Sequence, residues 1–348
     1  MLHRRLILLA AWLMLLAACG KPPLLHHQES FVFGTRVEVL IAGLDEAQAR
    51  PAAAAVLQEF DRLHRTYHAW QASELSALNT AIQAGQTHSV TPEMAALIAD
   101  AQRLSLLGEH LFDPGIGGLI QLWGFQSDEF KAVLPEASAL AKWRAARPSI
   151  ADLQLDGQQA SSRNRALALD FGGYLKGVAL DRAAEILRAQ GVANALINIG
   201  GNVMALGSKN GVLWRVGIQH PRQPGPLATL ELADGEAIGT SGDYQRYFEL
   251  DGKRYCHLLD PRSGEPVMHT QSLSVLISPR PNAGTLSDAA SKPLFVAGND
   301  WPHLARQYAI DQVLRVDAEG KVQVSAALQR RLSYVGEPPK ALEIIPQF

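Results

Sequence analysis

Residues 238–266 read IGTSGDYQRYFELDGKRYCHLLDPRSGEP, and this stretch decides how the rest of the chain is to be arranged. Asp251-Gly252 separates two runs rich in aromatic residues, the strongest short-range signal for a β-hairpin. A two-residue turn pairs Leu250 with Lys253. Counting outward then sets Glu249 opposite Arg254, Phe248 opposite Tyr255 and Arg246 opposite His257. An opposite-charge pair and an aromatic pair in one register support it, each contributing roughly 0.2–1 kcal/mol. His257 thus falls beside a guanidinium near the end of a strand, and Asp260-Pro261-Arg262-Ser263-Gly264 turns the chain away directly after it. Taken alone, a histidine there is an ordinary half-buried hairpin residue. Its charged neighbour and the turn also make it a candidate site.

Working outward, Trp214–Ile218 and Leu227–Leu232 read as strands leading into the hairpin, and Ser272–Ser278, Val313–Val316 and Lys321–Val324 as strands after it. Ala193–Gly207, ANALINIGGNVMALG, reads as a buried strand bent at Gly200-Gly201. Before it, Ala166–Gly191 reads as an apolar strand ending at Asp170, a Gly172-Gly173 turn and a helix that begins near Gly177 and stops at Gly191. Backbone N–H groups at such a helix start, with Lys176, make an anion site. A tight strand–helix connection with Lys176 in solvent and Asp170 as a cap is the other reading. Gln126–Ser149 is polar, a surface excursion with a short helix at Ala137–Ala146. Thr91-Pro92-Glu93 opens a helix that Gly108 closes. In Gln48–Tyr67, Val56, Phe60, Leu63 and Tyr67 form one helical stripe. Phe31–Gly43 alternates as a strand, and Gly34 inside it suggests a bulge or a close approach. The sum is a single α+β domain over residues 31–348, with mixed and antiparallel sheets and flanking helices.

The chain opens with a different kind of segment. His3-Arg4-Arg5 precede an apolar run, Leu6–Leu16, too short for a bilayer span of about 20 residues. Residues 1–18 therefore read as a signal peptide. Leu16-Ala17-Ala18-Cys19 reads as a lipobox, which makes Cys19 the lipidation site and the mature protein an exported lipoprotein, held at the inner or outer membrane of a bacterial envelope. Residues 19–30 form a polar tether. The one other cysteine is Cys256, so no internal disulfide is expected once Cys19 is lipidated. Stability then rests on burial, for which 47% hydrophobic content suffices. A net charge of −2, with no basic run beyond the first residues, argues against nucleic acid as a partner.

Five motifs share one resemblance. TSGDYQRYF followed by His257-Leu258-Leu259-Asp260-Pro261 and the Ser263-Gly264-Glu265-Pro266 turn resembles the signature of the ApbE family, the FAD:protein FMN transferases. TYHAWQASELSALN around Tyr67, HLFDPGIGGLIQLWGF around Phe112 and DFGGYLKGVALD around Lys176 resemble that family's segments in the family's order, as does SDAASKP around Asp288. The likeness runs from Phe33 to Gly298 and implies an ApbE-like, T-fold-like architecture. It implies cleavage of FAD at its diphosphate and transfer of FMN, through a phosphoester, to a Thr or Ser hydroxyl of an acceptor protein with release of AMP. Acceptors would be subunits of membrane redox complexes. By resemblance His257 is the catalytic base, and Phe33, Tyr67, Leu111, Phe112, Asp113, Asp170, Lys176 and Leu259 contact FAD. Such chemistry needs the diphosphate charge countered, a base near neutral pKa, and apolar walls for the rings. Arg246, facing His257, would disfavour the imidazolium and keep the ring neutral.

The resemblance also implies Mg²⁺, held by Asp288, by a hydroxyl three or four residues on, and by a carbonyl of the Gly-rich turn at Gly173. Here the chain departs from the family. Ser291 offers a hydroxyl, but Lys292 stands where a Thr belongs, and an ammonium cannot ligate a cation. Lys292 is then either an i,i+4 partner of Asp288 or a substitute for the metal's charge against the diphosphate. It also keeps open a site that binds FAD without turning it over. Beside the transferase stand two alternatives, an FAD pyrophosphatase yielding FMN and AMP, and a non-catalytic FAD-binding lipoprotein.

Overall fold

A computed structural model of the chain describes residues 24–127 and 129–346. The signal segment and Cys19 lie outside the described residues. Nine strands form one sheet and lie in it in chain order: β1 (Leu25–Val32), β2 (Thr35–Ala42), β3 (Ala195–Ile199), β4 (Asn202–Leu206), β5 (Ala237–Gly242), β6 (Thr270–Ile277), β7 (Val313–Asp317), β8 (Val322–Ser325) and β9 (Leu342–Ile345). Neighbours are antiparallel up to β8, and β9 joins β8 in parallel. The expected α+β class, with one large mixed sheet, is what the chain forms.

Both faces of the sheet are covered. In β2, Val37, Val39 and Ile41 point into the main core, while Leu40 and Ala42 point the other way, as the two-residue period of a strand requires. In the main core the sheet meets the helices α1 (Glu46–Thr66), α2 (Leu175–Ala189) and α3 (Ala283–Ala297), and the helices Glu74–Ala84, Pro92–Leu107 and Trp301–Gln307 extend that core. Asp45 caps α1 by accepting from the Gln48 N–H at 2.9 Å, a contribution of about 1 kcal/mol. On the opposite face Trp214, Ile218, Leu230 and Leu232, from the strands Trp214–Gln219 and Pro226–Leu232, pack against Leu276, Leu314 and Val324. Among the described residues no helix is long and apolar enough to cross a membrane.

The hairpin has the expected register. Tyr247–Leu250 pairs with Lys253–Cys256 across Asp251-Gly252, whose φ values of 50° and 72° are those of a two-residue type I′ turn. Phe248 stacks on Tyr255 at 5.2 Å and Arg254 bonds Glu249 at 3.0 Å. One pair beyond the strands, the His257 N–H donates to the Arg246 carbonyl at 3.0 Å.

Several segments differ from the sequence reading. Residues 25–30, read from the sequence as the end of a tether, belong to β1; its alternating polar side chains suit an edge strand and disguise it as linker. Gly34 marks no bulge. With Phe33 at φ 57° and Gly34 at φ 69° it is a two-residue hairpin turn. Ala193–Gly207 is likewise two strands, reversed at Gly200-Gly201. The segment before Asp170 contributes a single bridge, Ile116 to Ala168, instead of a strand. The excursion after Gln126 is anchored: Leu140 and Trp143 are buried beside Trp123, Phe125, Phe248 and Leu259, under the hairpin.

Candidate active site

In a sheet whose antiparallel strands follow chain order, the turns β1–β2 and β3–β4 and the β5–β6 connection emerge at one end. There they meet the start of α2 and enclose a cleft of about 840 Å³ lined by Phe33, Tyr67, Asp170, Lys176, His257 and Lys292, among others. Leu111, Phe112, Asp113, Gly173 and Leu259 line it as well. Of the candidate catalytic, flavin and metal residues among the described ones, Asp288 and Ser291 are the two that do not line the cleft; both are fully buried in α3, beside Lys292.

His257 stands on the hairpin wall. Its Nδ1 lies 3.1 Å from the Arg246 carbonyl oxygen. A carbonyl only accepts, so Nδ1 carries the proton and Nε2 keeps a lone pair. Burial lowers the imidazole pKa from its usual value to about 3, with the Arg246 guanidinium and then the Lys176 ammonium acting in the same direction. The ring is therefore a neutral acceptor across the physiological range, and in this environment a weaker base than the near-neutral one expected from the sequence. Arg246 has the expected sign of effect but is second to desolvation. It is held by the Phe125 carbonyl at 2.8 Å and lies over the Phe130 ring at 5.1 Å.

The floor is made where α2 crosses α3. A methyl group on Gly177 would sit 2.5 Å from the Gly284 carbonyl oxygen and 2.7 Å from Asp288 Cβ, and one on Gly284 would sit 2.7 Å from the Gly177 carbonyl oxygen. Glycine at both positions lets the backbones touch. Asp181 on α2 fixes the crossing by accepting from the N–H groups of Gly284 and Thr285, each at 2.8 Å, and from the Thr285 hydroxyl at 2.6 Å. It thereby caps α3, whose own N-cap, Asn282, supplies no side-chain bond.

This crossing changes the expected anion site. The Gly177 N–H at the start of α2 is already taken by Asp288 Oδ2 at 2.9 Å. A carboxylate thus occupies the positive end of the helix, and what faces the cleft is Lys176. The other carboxylate oxygen of Asp288 accepts from Lys292 Nζ, which also donates to the Asp288 carbonyl at 2.8 Å. Ser291 Oγ donates to the same carbonyl at 2.7 Å and lies 2.8 Å from Ser241 Oγ. A methyl group on Gly173 would meet the Lys292 stem at 3.6 Å. The magnesium set expected at Gly173, Asp288 and Ser291 is therefore not assembled: both Asp288 oxygens and the Ser291 hydroxyl are engaged, and a cationic side chain lies among them. These residues do not fit an octahedral oxygen-liganded ion.

Other expected contacts take particular forms. Asp113 lends the cleft backbone more than charge, since its carboxylate accepts from Gly115 N at 2.7 Å, Ile150 N at 2.8 Å and the Ser149 hydroxyl; burial raises its pKa. Asp170 Oδ1 accepts from Gly172 N at 2.8 Å and Oδ2 from Gln126 at 3.1 Å. The Tyr67 hydroxyl donates to Glu93 at 3.0 Å, which leaves its ring for the cleft. The sequence reading missed the aromatic run beside it. Phe33 lies 5.6 Å from His64, His64 lies 4.9 Å from His68, and His68 lies 4.5 Å from Trp70, all lining the same cleft. His64 in the last turn of α1 and His68 just beyond it, four positions apart, are the signal that could have found it. Also missed was Arg222, which grips the buried Asp243 at 2.7 and 2.6 Å and ties the Trp214–Leu232 ribbon to the end of β5.

Known proteins resemble this chain in sequence and in fold. The chain is 40% identical to the FAD:protein FMN transferase of Rhodobacter capsulatus over 88% of its own length and 58% of that protein's. It is 31% identical to that of Klebsiella pneumoniae over 81% of each. Among solved structures, the ApbE protein of Thermotoga maritima superposes with a TM-score of 0.80 at 27% identity, covering 88% of this chain and 99% of that one. The flavin transferase ApbE of Vibrio cholerae gives 0.77 at 26%, covering 89% and 100%. The family's sequence pattern matches residues 33–314, and the chain belongs to the ApbE family.

Proposed function

We propose that this protein is an FAD:protein FMN transferase. The observation that carries the reading is a neutral imidazole, with its Nε2 lone pair unclaimed by the Arg246 carbonyl, on the wall of a cleft that also holds the ammonium groups of Lys176 and Lys292. The aromatic faces of Phe33, Tyr67 and Phe112 suit the rings of FAD, and the two ammoniums suit its diphosphate. His257 Nε2 takes the proton of an acceptor Thr or Ser hydroxyl as its oxygen attacks the FMN phosphorus. The bridging P–O bond breaks, AMP departs with the electron pair, and the acceptor keeps FMN as a phosphoester. No step is routed through magnesium.

The acceptors are subunits of membrane redox complexes, a reading supported by the segment before Cys19. A signal peptide and a lipid on Cys19 would place residues 31–348 at the envelope surface of a bacterial membrane, on the outer side of the cytoplasm. Globomycin sensitivity of processing and loss of membrane retention in Cys19→Ala test that placement.

The activity is tested by chromatography of the nucleotides. Protein and FAD are incubated with and without an acceptor domain. The transferase reading expects AMP to appear in step with the acceptor; equal AMP and free FMN without it would instead mark a pyrophosphatase.

A further inference from the structure

The geometry points to Lys292 as a built-in cation that replaces the divalent metal at the diphosphate, so that this chain handles FAD without magnesium. The inference rests on the transferase reading for its substrate, but its evidence is separate. Lys292 follows Asp288 by one turn of α3, so its side chain reaches back along the helix, and Nζ donates to Asp288 Oδ1 and to the Asp288 carbonyl at 2.8 Å. The first of those oxygens, with the Ser291 hydroxyl and the Gly173 carbonyl, makes up the set a metal would need. Asp288 is itself immobilised, its second oxygen on the Gly177 N–H at 2.9 Å and its carbon framework against the Gly177–Gly284 crossing. The ammonium is therefore aimed by a fixed partner. It is not a flexible surface charge.

Lys292 also lines the cleft, 14% exposed, whereas Asp288 behind it is at 0%. The arrangement is that of a metal site turned inside out: the carboxylate sits in the protein, the positive charge stands between it and the cleft, and the Lys292 stem passes Gly173 at the turn before α2. A single charge supplied by the chain costs no dehydration of an aqueous magnesium ion. The Asp288 carboxylate already counters the Lys292 charge, so what reaches the diphosphate is the one Nζ–H not given to Asp288, together with the ammonium of Lys176 on α2.

The test reads metal and FAD separately on the full chain. Mn²⁺ is titrated in and the free-ion signal followed by electron paramagnetic resonance; FAD binding is followed by flavin fluorescence in EDTA and in Mg²⁺. The wild type is expected to leave the Mn²⁺ signal as in buffer and to bind FAD equally with either addition. Lys292→Thr, which restores an oxygen ligand, is expected to take up Mn²⁺ and to lose at least about tenfold in FAD affinity in EDTA relative to Mg²⁺. Stoichiometric Mn²⁺ uptake by the wild type that persists when His27→Ala opens the separate His27–Glu29–Glu38 cluster, or FAD binding that EDTA abolishes, overturns the inference even if Lys292→Thr fails to fold. FAD binding in neither condition overturns the transferase reading and this one with it, and that outcome is distinguishable because Mg²⁺ fails to rescue.

Discussion

The hairpin wall and the helix-crossing floor of the cleft are built by opposite means. The wall is local: a ribbon of eight strand residues turns at Asp251-Gly252, stacks Phe248 on Tyr255 at 5.2 Å and presents His257 one pair beyond. The floor is remote in sequence, with Gly177 and Asp288 111 positions apart yet bonded at 2.9 Å because two glycines let α2 and α3 touch. The proton acceptor sits on the tolerant element, and the charges sit on the intolerant one. Damage to the wall should therefore cost chemistry or local stability and spare FAD binding, whereas damage to the floor should cost stability and FAD binding together.

The largest expected effect is on the wall. His257→Ala should lower FMN transfer by about 10²- to 10⁴-fold while thermal unfolding and FAD binding stay near wild type; a concurrent loss of binding would erase the contrast between the regions. The same residue sets the pH response. Its folded pKa lies below the unfolded value, so the native state refuses a proton that the unfolded chain accepts. Stability from this group is present above about pH 6.5 and is lost as pH falls toward 3. The acid limb of the rate profile should likewise fall well below 6.5, and a limb at 6.5 would mean that the imidazole is not held in this environment.

On the floor, Gly177→Ala should destabilise the chain by about 1–3 kcal/mol in urea unfolding and weaken FAD binding, because the new methyl would collide with backbone. Gly252→Ala, at φ 72° but with nothing within 4 Å, should cost about 1–2 kcal/mol of backbone strain and leave FAD binding alone. The smallest effect belongs to Glu249→Gln, an exposed partner of Arg254 also held over the Tyr247 ring at 4.0 Å, expected within about 0.5 kcal/mol of wild type.

The same contrast explains what could be read from the sequence. The Asp251-Gly252 register was legible because a type I′ turn and its cross-strand pairs lie within a few residues of one another. The Lys292–Asp288 pair was legible for the same reason, being one helical turn apart. The turn at Phe33-Gly34 was not, since a bulky residue at positive φ runs against turn preference and is held there by the β1–β2 pairing and by packing on Phe60 and His64. Nor was the Gly177–Gly284 contact, the use of Asp288 as the partner of the α2 N-terminus, or the closure of the Asp113 loop onto Ile150. Each joins segments whose proximity is set by the completed fold, and no local pattern encodes it. Polar β1 was mistaken for tether because an edge strand needs few apolar residues.

The most direct test of the central claim is the intact mass of an acceptor domain after incubation with this protein and FAD. The account expects the acceptor to gain the mass of FMN less water with wild type and to stay unmodified with His257→Ala. An unmodified acceptor beside the folded, FAD-loaded wild type would contradict it.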